Sequence, residues 1–278
     1  MKKITVVDSY IRQLINKIDD NSIDWSQEKK KLQLIIKEGA LIDRNWMLGL
    51  IDNHCNGNDD MKILDYGCGS GILNLLLLLK GYPNVHGVDV VKKFENKILQ
   101  HFQFNNASFK LISENEKLPF NDSSFDVITS CLVLEHVKDA DFYYSEAARI
   151  LKPGGVCFFN FPHRLKPYDS HSRCWFIHYF PENIRKLLWD IFARQDGEYL
   201  NQYLFLRTAS WHKRLASKYF SEVRDCTVDR IKQNTFINYN GNLMIRQLAS
   251  KFMSLNYVGN FFAKIFAINA STDLYLKK

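Results

Sequence analysis

The sequence predicts an α/β fold with a doubly wound, mostly parallel sheet. Two observations support this prediction. Short apolar strands alternate with helical segments five times between residues 61 and 161, and parallel strands joined in this way need right-handed crossover helices. In addition, the first of these strands runs directly into a glycine-rich turn and then an apolar helix, an order typical of ligand-binding α/β sheets.

The composition is that of a globular enzyme-sized chain. Its 278 residues are 46% hydrophobic and 24% charged, which fits one large α/β domain with additions. Six cysteines without a C-x-x-C pair, and a start that lacks the apolar core of a signal peptide, predict a reduced, cytoplasmic protein. The net charge of +7 favours an acidic partner without identifying one.

The glycine turn follows the first strand and contains Asp65, Gly67, Gly69 and Gly71. Glycine permits positive φ angles, and its missing Cβ lets a ligand lie directly on the main chain. The helix that begins at Ile72 points its free N–H groups toward the same place. The turn therefore predicts a binding site for a flat, partly anionic ligand.

A second acid ends the next strand. Asp89 lies 18 residues after Gly71, where a nucleoside-binding fold places the carboxylate that accepts both ribose hydroxyls. Val90, which follows it, is assigned to the same site. The alternative is that Asp89 only caps the next helix.

Four further motifs follow in order. They are Leu118-Pro119-Phe120, Phe125-Asp126-Val127, Leu134-Glu135-His136-Val137 and the segment 149–155, which reads RILKPGG. Together with the glycine turn, this set resembles the small-molecule branch of class I S-adenosylmethionine-dependent methyltransferases. The resemblance implies a Rossmann-like, seven-stranded sheet whose last strand is antiparallel.

The same resemblance implies a cofactor, S-adenosylmethionine, with S-adenosylhomocysteine as product. By its motif position Glu114 is expected to contact the adenine amino group, with Asn115 beside it; this chain has Glu where Asp is usual. Ser130 ends the fourth strand, along which the methionine part of the cofactor passes. His136 is expected to form part of the pocket floor near the cofactor.

The segments outside the motifs divide the chain into four parts. We expect a helical N-terminal cap (1–60), the cofactor-binding core (61–161), a helical substrate-recognition insert (162–220) and the end of the sheet with a C-terminal helix (221–278). Ser221–Arg230 and Thr272–Leu276 are the candidates for the last two strands. The apolar, lightly basic segment 243–270 either packs on the protein or touches a membrane surface.

The insert is both basic and aromatic, a composition that suits an anionic sugar or glycan acceptor, or single-stranded RNA. A plain helical lid with a solvated basic face is the alternative. A looser resemblance to bacterial surface-glycan methyltransferases rests on His171, Phe180-Pro181 and Tyr199-Leu200-Asn201. It favours a glycan acceptor.

Histidine is the residue type best suited to remove a proton from a hydroxyl acceptor near neutral pH. His171, and after it His163, are the candidate general bases, although packing or hydrogen bonding is the alternative role for each. His171, Cys174 and His178 have a spacing that permits zinc, but without a second cysteine pair we expect no bound metal.

The predicted reaction is O-methylation of a sugar, glycan or related small molecule. Residues 130–133 read SCLV instead of the Asn/Asp-Pro-Pro-Tyr/Phe of amine-methylating enzymes, so DNA is not expected as a substrate. The alternatives are methylation of an isoprenoid or quinone-like lipid, methylation of RNA or protein, and a cofactor-binding module without catalysis.

Overall fold

A computed structural model describes residues 7–37, 45–58, 60–192, 197–232, 264, 267–268 and 270–278. The chain divides into two compact units. The first comprises Met1–Ser130 and Arg149–Val156, and the second comprises Cys131–Ala148 and Cys157–Lys278. The four-part division expected from the sequence stays a prediction.

The strands form one mixed sheet with the order β3-β2-β1-β4-β5-β7-β6. Its strands are β1 (Ile63–Tyr66), β2 (Val85–Asp89), β3 (Ser108–Leu111), β4 (Phe125–Cys131), β5 (Leu151–Phe161), β6 (Glu222–Asp225) and β7 (Thr272–Lys277). β1 pairs in parallel with β2 and β4, β2 pairs in parallel with β3, and β6 and β7 are antiparallel. The predicted seven-stranded Rossmann-like fold is confirmed.

Helices connect these strands. They are α1 (Val7–Ile15), α2 (Trp25–Lys37), α3 (Asn45–Cys55), α4 (Ile72–Lys80), α5 (Lys97–His101), α6 (Ala140–Ile150), a 3-10 turn (Ile177–Tyr179), α7 (Glu182–Phe192), α8 (Gly197–Tyr203), α9 (Ala209–Ala216) and α10 (Thr227–Lys232). No helix among the described ranges is long and apolar enough to cross a bilayer.

The helix after the glycine turn is buried on all sides. Every residue from Ile72 to Leu79 is buried; all are apolar except Asn74, whose Nδ2 donates to the His86 carbonyl at 2.8 Å. It ends at Gly81, whose φ of 114° is left-handed and whose N–H caps the carbonyls of Leu77 and Leu78. This helix fixes the position of the turn that precedes it.

Side chains of α2 pack against the segment that contains α5. Lys29 Nζ donates to the Phe102 carbonyl at 2.5 Å and lies 4.2 Å from the centroid of the Phe104 ring. Trp25 stacks on His101, with ring centroids 4.3 Å apart. Both residues thus contribute to packing between these two segments.

Three predicted elements have different bounds. The helix expected over Lys92–Asn106 is reduced to α5. The strand expected over Ser221–Arg230 ends at Asp225, because that side chain accepts the N–H and hydroxyl of Thr227 (3.0 and 2.6 Å) and so begins α10. Most of the predicted C-terminal helix lies outside the described residues.

The third difference concerns β5, which begins at Leu151 rather than at Val156. The Lys-Pro-Gly-Gly sequence expected to end the helix is instead part of the strand. Lys152 Nζ binds both carboxylate oxygens of Asp126 at 2.8 and 2.7 Å. A Cβ on Gly155 would lie 2.9 Å from the Asp126 carbonyl oxygen, so the glycine permits this close approach of the two strands.

Candidate functional site

The glycine turn has the backbone that its sequence predicts. Gly67, Gly69 and Gly71 have φ angles of 87°, 55° and 75°, all in the left-handed region that disfavours other residues. The N–H groups of Gly67 and Cys68 both donate to the Val88 carbonyl (2.8 and 3.0 Å). The turn is thus fastened to β2 as well as to β1.

Two of these glycines are required for different reasons. A Cβ on Gly71 would lie 2.5 Å from Cζ of Phe109, so packing excludes a side chain there. A Cβ on Gly69 would meet nothing within 4 Å. Gly69 therefore faces open space over which a ligand can approach the main chain, which is the fit that the cofactor requires.

Two carboxylates hold the turn. Asp65 is completely buried, and its Oδ1 accepts the Thr129 hydroxyl at 3.0 Å. Asp89 Oδ2 accepts the Gly69 N–H at 2.7 Å, and its Oδ1 accepts the Val91 N–H at 2.9 Å. Because a carboxylate oxygen has two lone pairs, Asp89 can keep these bonds and still accept a ribose hydroxyl.

The other predicted cofactor residues of the first unit also follow the carboxyl ends of parallel strands. Val90, after β2, is 43% exposed. Glu114 and Asn115 are exposed in the turn after β3, where Asn115 has a φ of 58°. Ser130 is buried near the end of β4. This edge is where open α/β sheets bind their ligands.

The second unit contains a polar cluster that follows β4. Its first unusual residue is Leu132, which is 48% exposed with a φ of 58° and donates its N–H to the Asn160 carbonyl at 2.8 Å. A branched side chain in this conformation costs about 1–2 kcal/mol and is typical of functional sites. The bend leads into the Leu-Glu-His motif.

Glu135 of that motif is 2% exposed, and its Oε2 accepts no hydrogen bond within the described part of the chain. Burial raises the pKa of Glu135 to about 7, although the positive charges of His171 and Lys166 act in the opposite direction. A carboxyl group with this pKa can take up or release a proton near neutral pH.

His171, the first candidate base, is held by Asp169. The His171 Nδ1–H donates to Asp169 Oδ1 at 3.1 Å, which leaves Nε2 as the basic nitrogen. Ser172 donates its N–H and hydroxyl to Asp169 Oδ2 (3.0 and 2.6 Å), and His178 Nε2 lies 3.3 Å from the same oxygen.

These contacts set the charges of the pair. Burial alone would raise the pKa of Asp169, but the hydrogen bonds from His171 and Ser172, together with the nearby His178 ring, lower it well below its usual range. Asp169 is therefore ionised. Its hydrogen bond raises the pKa of His171, against the opposing effect of burial. The result is a histidine–carboxylate pair inside the predicted insert.

His136 completes the cluster. Its Nδ1–H donates to the Tyr203 carbonyl at 2.9 Å. Its ring packs edge to face on the ring of His171, with the ring centroids 5.2 Å apart. Ligand atoms of Glu135, His136 and His171 lie within 4.8 Å of one another, so this set is able to hold a metal ion. The set considered from the sequence was His171, Cys174 and His178, and only His171 belongs to both sets. Cys174 Sγ instead donates to the Ser172 carbonyl at 3.5 Å.

His163, the second candidate base, has other neighbours. Burial lowers its pKa, while hydrogen bonds to the backbone of Ala267 and Ile268 raise it in part. The two candidate bases therefore differ in their neighbours: His163 faces backbone groups, whereas His171 is paired with the Asp169 carboxylate. The catalytic role of each stays a prediction.

Residues 64–159 match a protein family described as a methyltransferase domain. The chain carries a class I S-adenosylmethionine-dependent methyltransferase domain. The fold agrees: phosphoethanolamine N-methyltransferase 2 of Haemonchus contortus, solved with phosphomonomethylethanolamine and S-adenosylhomocysteine, superposes with a TM-score of 0.51 at 20% identity, covering 84% of this chain and 52% of that one.

Relatives of this methyltransferase domain include two proteins named ubiquinone biosynthesis O-methyltransferase. The protein from Colwellia psychrerythraea is 37% identical over 107 residues, which are 38% of this chain and 43% of the relative. The protein from Idiomarina loihiensis is 34% identical over 115 residues, 41% of this chain and 47% of the relative. The chain thus spans less than half the length of these relatives.

The sequence missed two residues of the candidate site. Glu135 lies in a quoted motif, but only the fold shows that its carboxyl group is buried. Asp169 had a local signal, because an acid two residues before a histidine in a turn can accept hydrogen bonds from the residues that follow. From the sequence alone, neither Glu135 nor Asp169 was expected to belong to the site.

Proposed function

We propose that this protein transfers the methyl group of S-adenosylmethionine to a hydroxyl group of an isoprenoid or quinone-like lipid acceptor. The glycine turn is the observation that supports binding of the methyl donor. Asp89 accepts the N–H of Gly69, and no atom lies within 4 Å of where a Cβ on Gly69 would be. The acceptor class is supported by the names of the two bacterial relatives.

Donor binding is assigned to the first unit. Gly67, Gly69 and Gly71 would offer bare main chain to the amino-acid part of the donor, with Asp65 beneath them. Asp89 and Val90 would contact the ribose and the adenine face, and Glu114 and Asn115 would contact the adenine edge. Ser130 would line the methionine part. His136 was expected in this group from the sequence, and its assignment stays a prediction.

Proton removal is assigned to His171. S-adenosylmethionine, when bound, supplies a methyl group that is already activated on a sulfonium. The chain has to align the acceptor oxygen with that carbon, exclude water and take the hydroxyl proton. The donor would supply the methyl group and keep the electron pair of the broken carbon–sulfur bond, and Nε2 of His171 would take the proton of the acceptor hydroxyl. Asp169 then stabilises the imidazolium by the hydrogen bond at Nδ1.

The acceptor proposal replaces the glycan expectation. The relatives carry the name of an enzyme of quinone biosynthesis, and glycan O-methylation receives no support from them. A phenolic hydroxyl, with a pKa of about 10 like that of tyrosine, is also a far easier proton donor than a sugar hydroxyl for a single histidine base.

The test is a transfer assay with methyl-labelled S-adenosylmethionine and three acceptor panels: hydroxylated polyprenyl benzenes, sugar nucleotides with glycans, and RNA. Calorimetry with S-adenosylhomocysteine precedes it, with Asp65→Ala as the variant that should lose binding. Labelling of the polyprenyl panel alone is expected. Labelling of glycans alone would overturn the acceptor class, and absence of binding would overturn the donor half.

A further inference from the structure

Glu135, His136 and His171 of the second unit bring three metal-ligand atoms together, and we call these residues the Glu-His-His set. One atom from each residue lies within 4.8 Å of the other two. Glu135 is buried, His171 is half-buried and His136 is exposed, so an ion can reach the set from solvent. Two imidazoles and one carboxylate are the donors of many catalytic zinc and non-haem iron sites.

Glu135 is the member of the set that most requires a cation. Its side chain is 2% exposed, and its Oε2 accepts no hydrogen bond from the described residues. The positive charge of Lys166 acts on the Glu135 carboxyl group, but Lys166 does not hydrogen-bond Oε2. Because a buried carboxylate without a partner is destabilising, such groups are usually paired or coordinate a metal ion. Glu135 thus has an unfilled coordination position.

Both histidines are oriented by hydrogen bonds at Nδ1. The Nδ1–H of His136 donates to the Tyr203 carbonyl at 2.9 Å, and that of His171 donates to Asp169 Oδ1 at 3.1 Å. In each neutral ring this tautomer puts the lone pair on Nε2. Histidines that bind metal ions almost always donate their other N–H to a carboxylate or a backbone carbonyl. The two rings therefore have the hydrogen bonds that metal ligands require.

The backbone fixes the adjacent pair of the set. The Phe205 N–H donates to the Glu135 carbonyl at 2.6 Å, and the His136 N–H donates to the Val133 carbonyl at 2.8 Å. Ligand atoms about 2.1 Å from one tetrahedral ion lie about 3.4 Å apart, so no pair of the set has to close by more than about 1.4 Å. Side-chain rotation alone supplies a movement of this size.

The charges and the donor atoms together indicate which ion fits. The carboxylates of Glu135 and Asp169 both act on Lys166, so two negative charges oppose one positive charge around the set. Imidazole nitrogen prefers Zn²⁺ and related transition metals, whereas Mg²⁺ and Ca²⁺ prefer oxygen ligands. The set therefore favours a divalent transition metal ion over Mg²⁺.

We propose that Glu135, His136 and His171 bind one divalent transition metal ion, with Zn²⁺ as the best match. Nε2 of His171 then holds the ion instead of a proton, so the metal-loaded protein should transfer methyl groups more slowly. Metal binding stands without the proposed function, and only this inhibition rests on it. The sequence led us to expect no metal because it was weighed for a different set, with Cys174 and His178.

Calorimetric titration of the chelator-treated full chain tests the site, with ZnCl₂ and, separately, MgCl₂ as titrants. Glu135→Gln removes the charged ligand and keeps the shape of the side chain, and His136→Ala removes one imidazole. Cys174→Ser is the matched control, because Cys174 belongs to the set considered from the sequence and not to the Glu-His-His set. Thermal unfolding of each metal-free variant confirms that it is folded.

Wild type and Cys174→Ser are expected to bind one Zn²⁺ per chain, and Mg²⁺ at least about tenfold more weakly. Glu135→Gln and His136→Ala should each lose about tenfold or more in Zn²⁺ affinity, since changes even to the outer partners of metal ligands cost about 10–100-fold. Absence of Zn²⁺ binding by wild type would overturn the proposal, as would equal affinities of wild type and both variants. Loss of binding in Cys174→Ser alone would overturn it in favour of the cysteine-containing set.

A methyl-transfer assay with Zn²⁺, and then with added chelator, tests the inhibition separately. Slower transfer that the chelator restores is expected if the ion and the proton compete for Nε2 of His171. Zn²⁺ binding with unchanged or faster transfer would keep the metal site and refute His171 as the proton acceptor of the proposed function. Failure of the metal site and failure of the proposed function thus give different results.

Discussion

Substitution of single glycines separates the two roles of the turn. Gly69→Ala puts a Cβ into open space at a φ of 55°, and Gly154→Ala does the same at a φ of 78°. Gly155, next to Gly154, lies against the Asp126 carbonyl at the start of β4. Gly154 is therefore near the amino end of that strand, opposite the cofactor edge, and serves as the control.

The stability cost follows from the backbone and the neighbours. A left-handed alanine costs about 1–2 kcal/mol, offset by about 0.5–1 kcal/mol from the less flexible unfolded chain. Gly69→Ala and Gly154→Ala should thus each lose about 1 kcal/mol. Gly71→Ala adds the overlap with Phe109 at 2.5 Å. Overpacking costs about 1–3 kcal/mol more, so its loss should be about 2–4 kcal/mol.

Urea unfolding and calorimetry with S-adenosylhomocysteine measure the two effects. Gly69→Ala should unfold like Gly154→Ala, yet bind the ligand at least about tenfold more weakly, a difference of about 1.4 kcal/mol. Gly154→Ala should bind like wild type. If Gly69→Ala binds as tightly as Gly154→Ala, the ligand does not lie over Gly69, and the reasoning is refuted.

Two further predictions concern the polar cluster. Asp169→Asn should lower kcat by about tenfold or more and move the acidic limb of its pH profile to lower pH, because the pKa of His171 then loses the effect that raises it; an unmoved limb would leave Asp169 only a structural role. Glu135→Gln should be more stable than wild type above neutral pH. The pKa of Glu135 is about 7 in the folded protein and 4.5 in an unfolded chain. Wild type therefore loses stability relative to the variant as the pH rises from 4.5 to 7, by about 3 kcal/mol at 1.36 kcal/mol per pH unit. Urea unfolding at pH 5 and pH 8 checks this, and a pH-independent difference would contradict it.

The sequence predicted those features that depend on neighbouring residues. The glycine turn and the acid that ends β2 are local patterns, and the structure has both where the sequence predicts them. The start predicted for β5, Val156, was wrong. Pairing beside β4 extends the strand through a Pro-Gly-Gly sequence that locally favours a turn. Such tertiary effects override local propensity.

The polar cluster was predicted only in part for the same reason. His171 was selected for its residue type, but its partner Asp169 depends on how the insert folds back on itself. The raised pKa of Glu135 depends on burial, which a sequence motif does not show.

The ring of Phe109 restricts the order in which this chain can change. It lies where a Cβ on Gly71 would be, and it would also meet a Cβ on Gly87 at 2.8 Å. One aromatic side chain on β3 therefore helps to keep glycine at positions on two other segments. A smaller residue at 109 has to come first before Gly71 becomes replaceable on steric grounds, whereas Gly87 would stay closed by Cys68, whose Cβ and Sγ would both lie 2.9 Å from the new Cβ. The residue at position 109 on β3 therefore limits which substitutions the turn can accept.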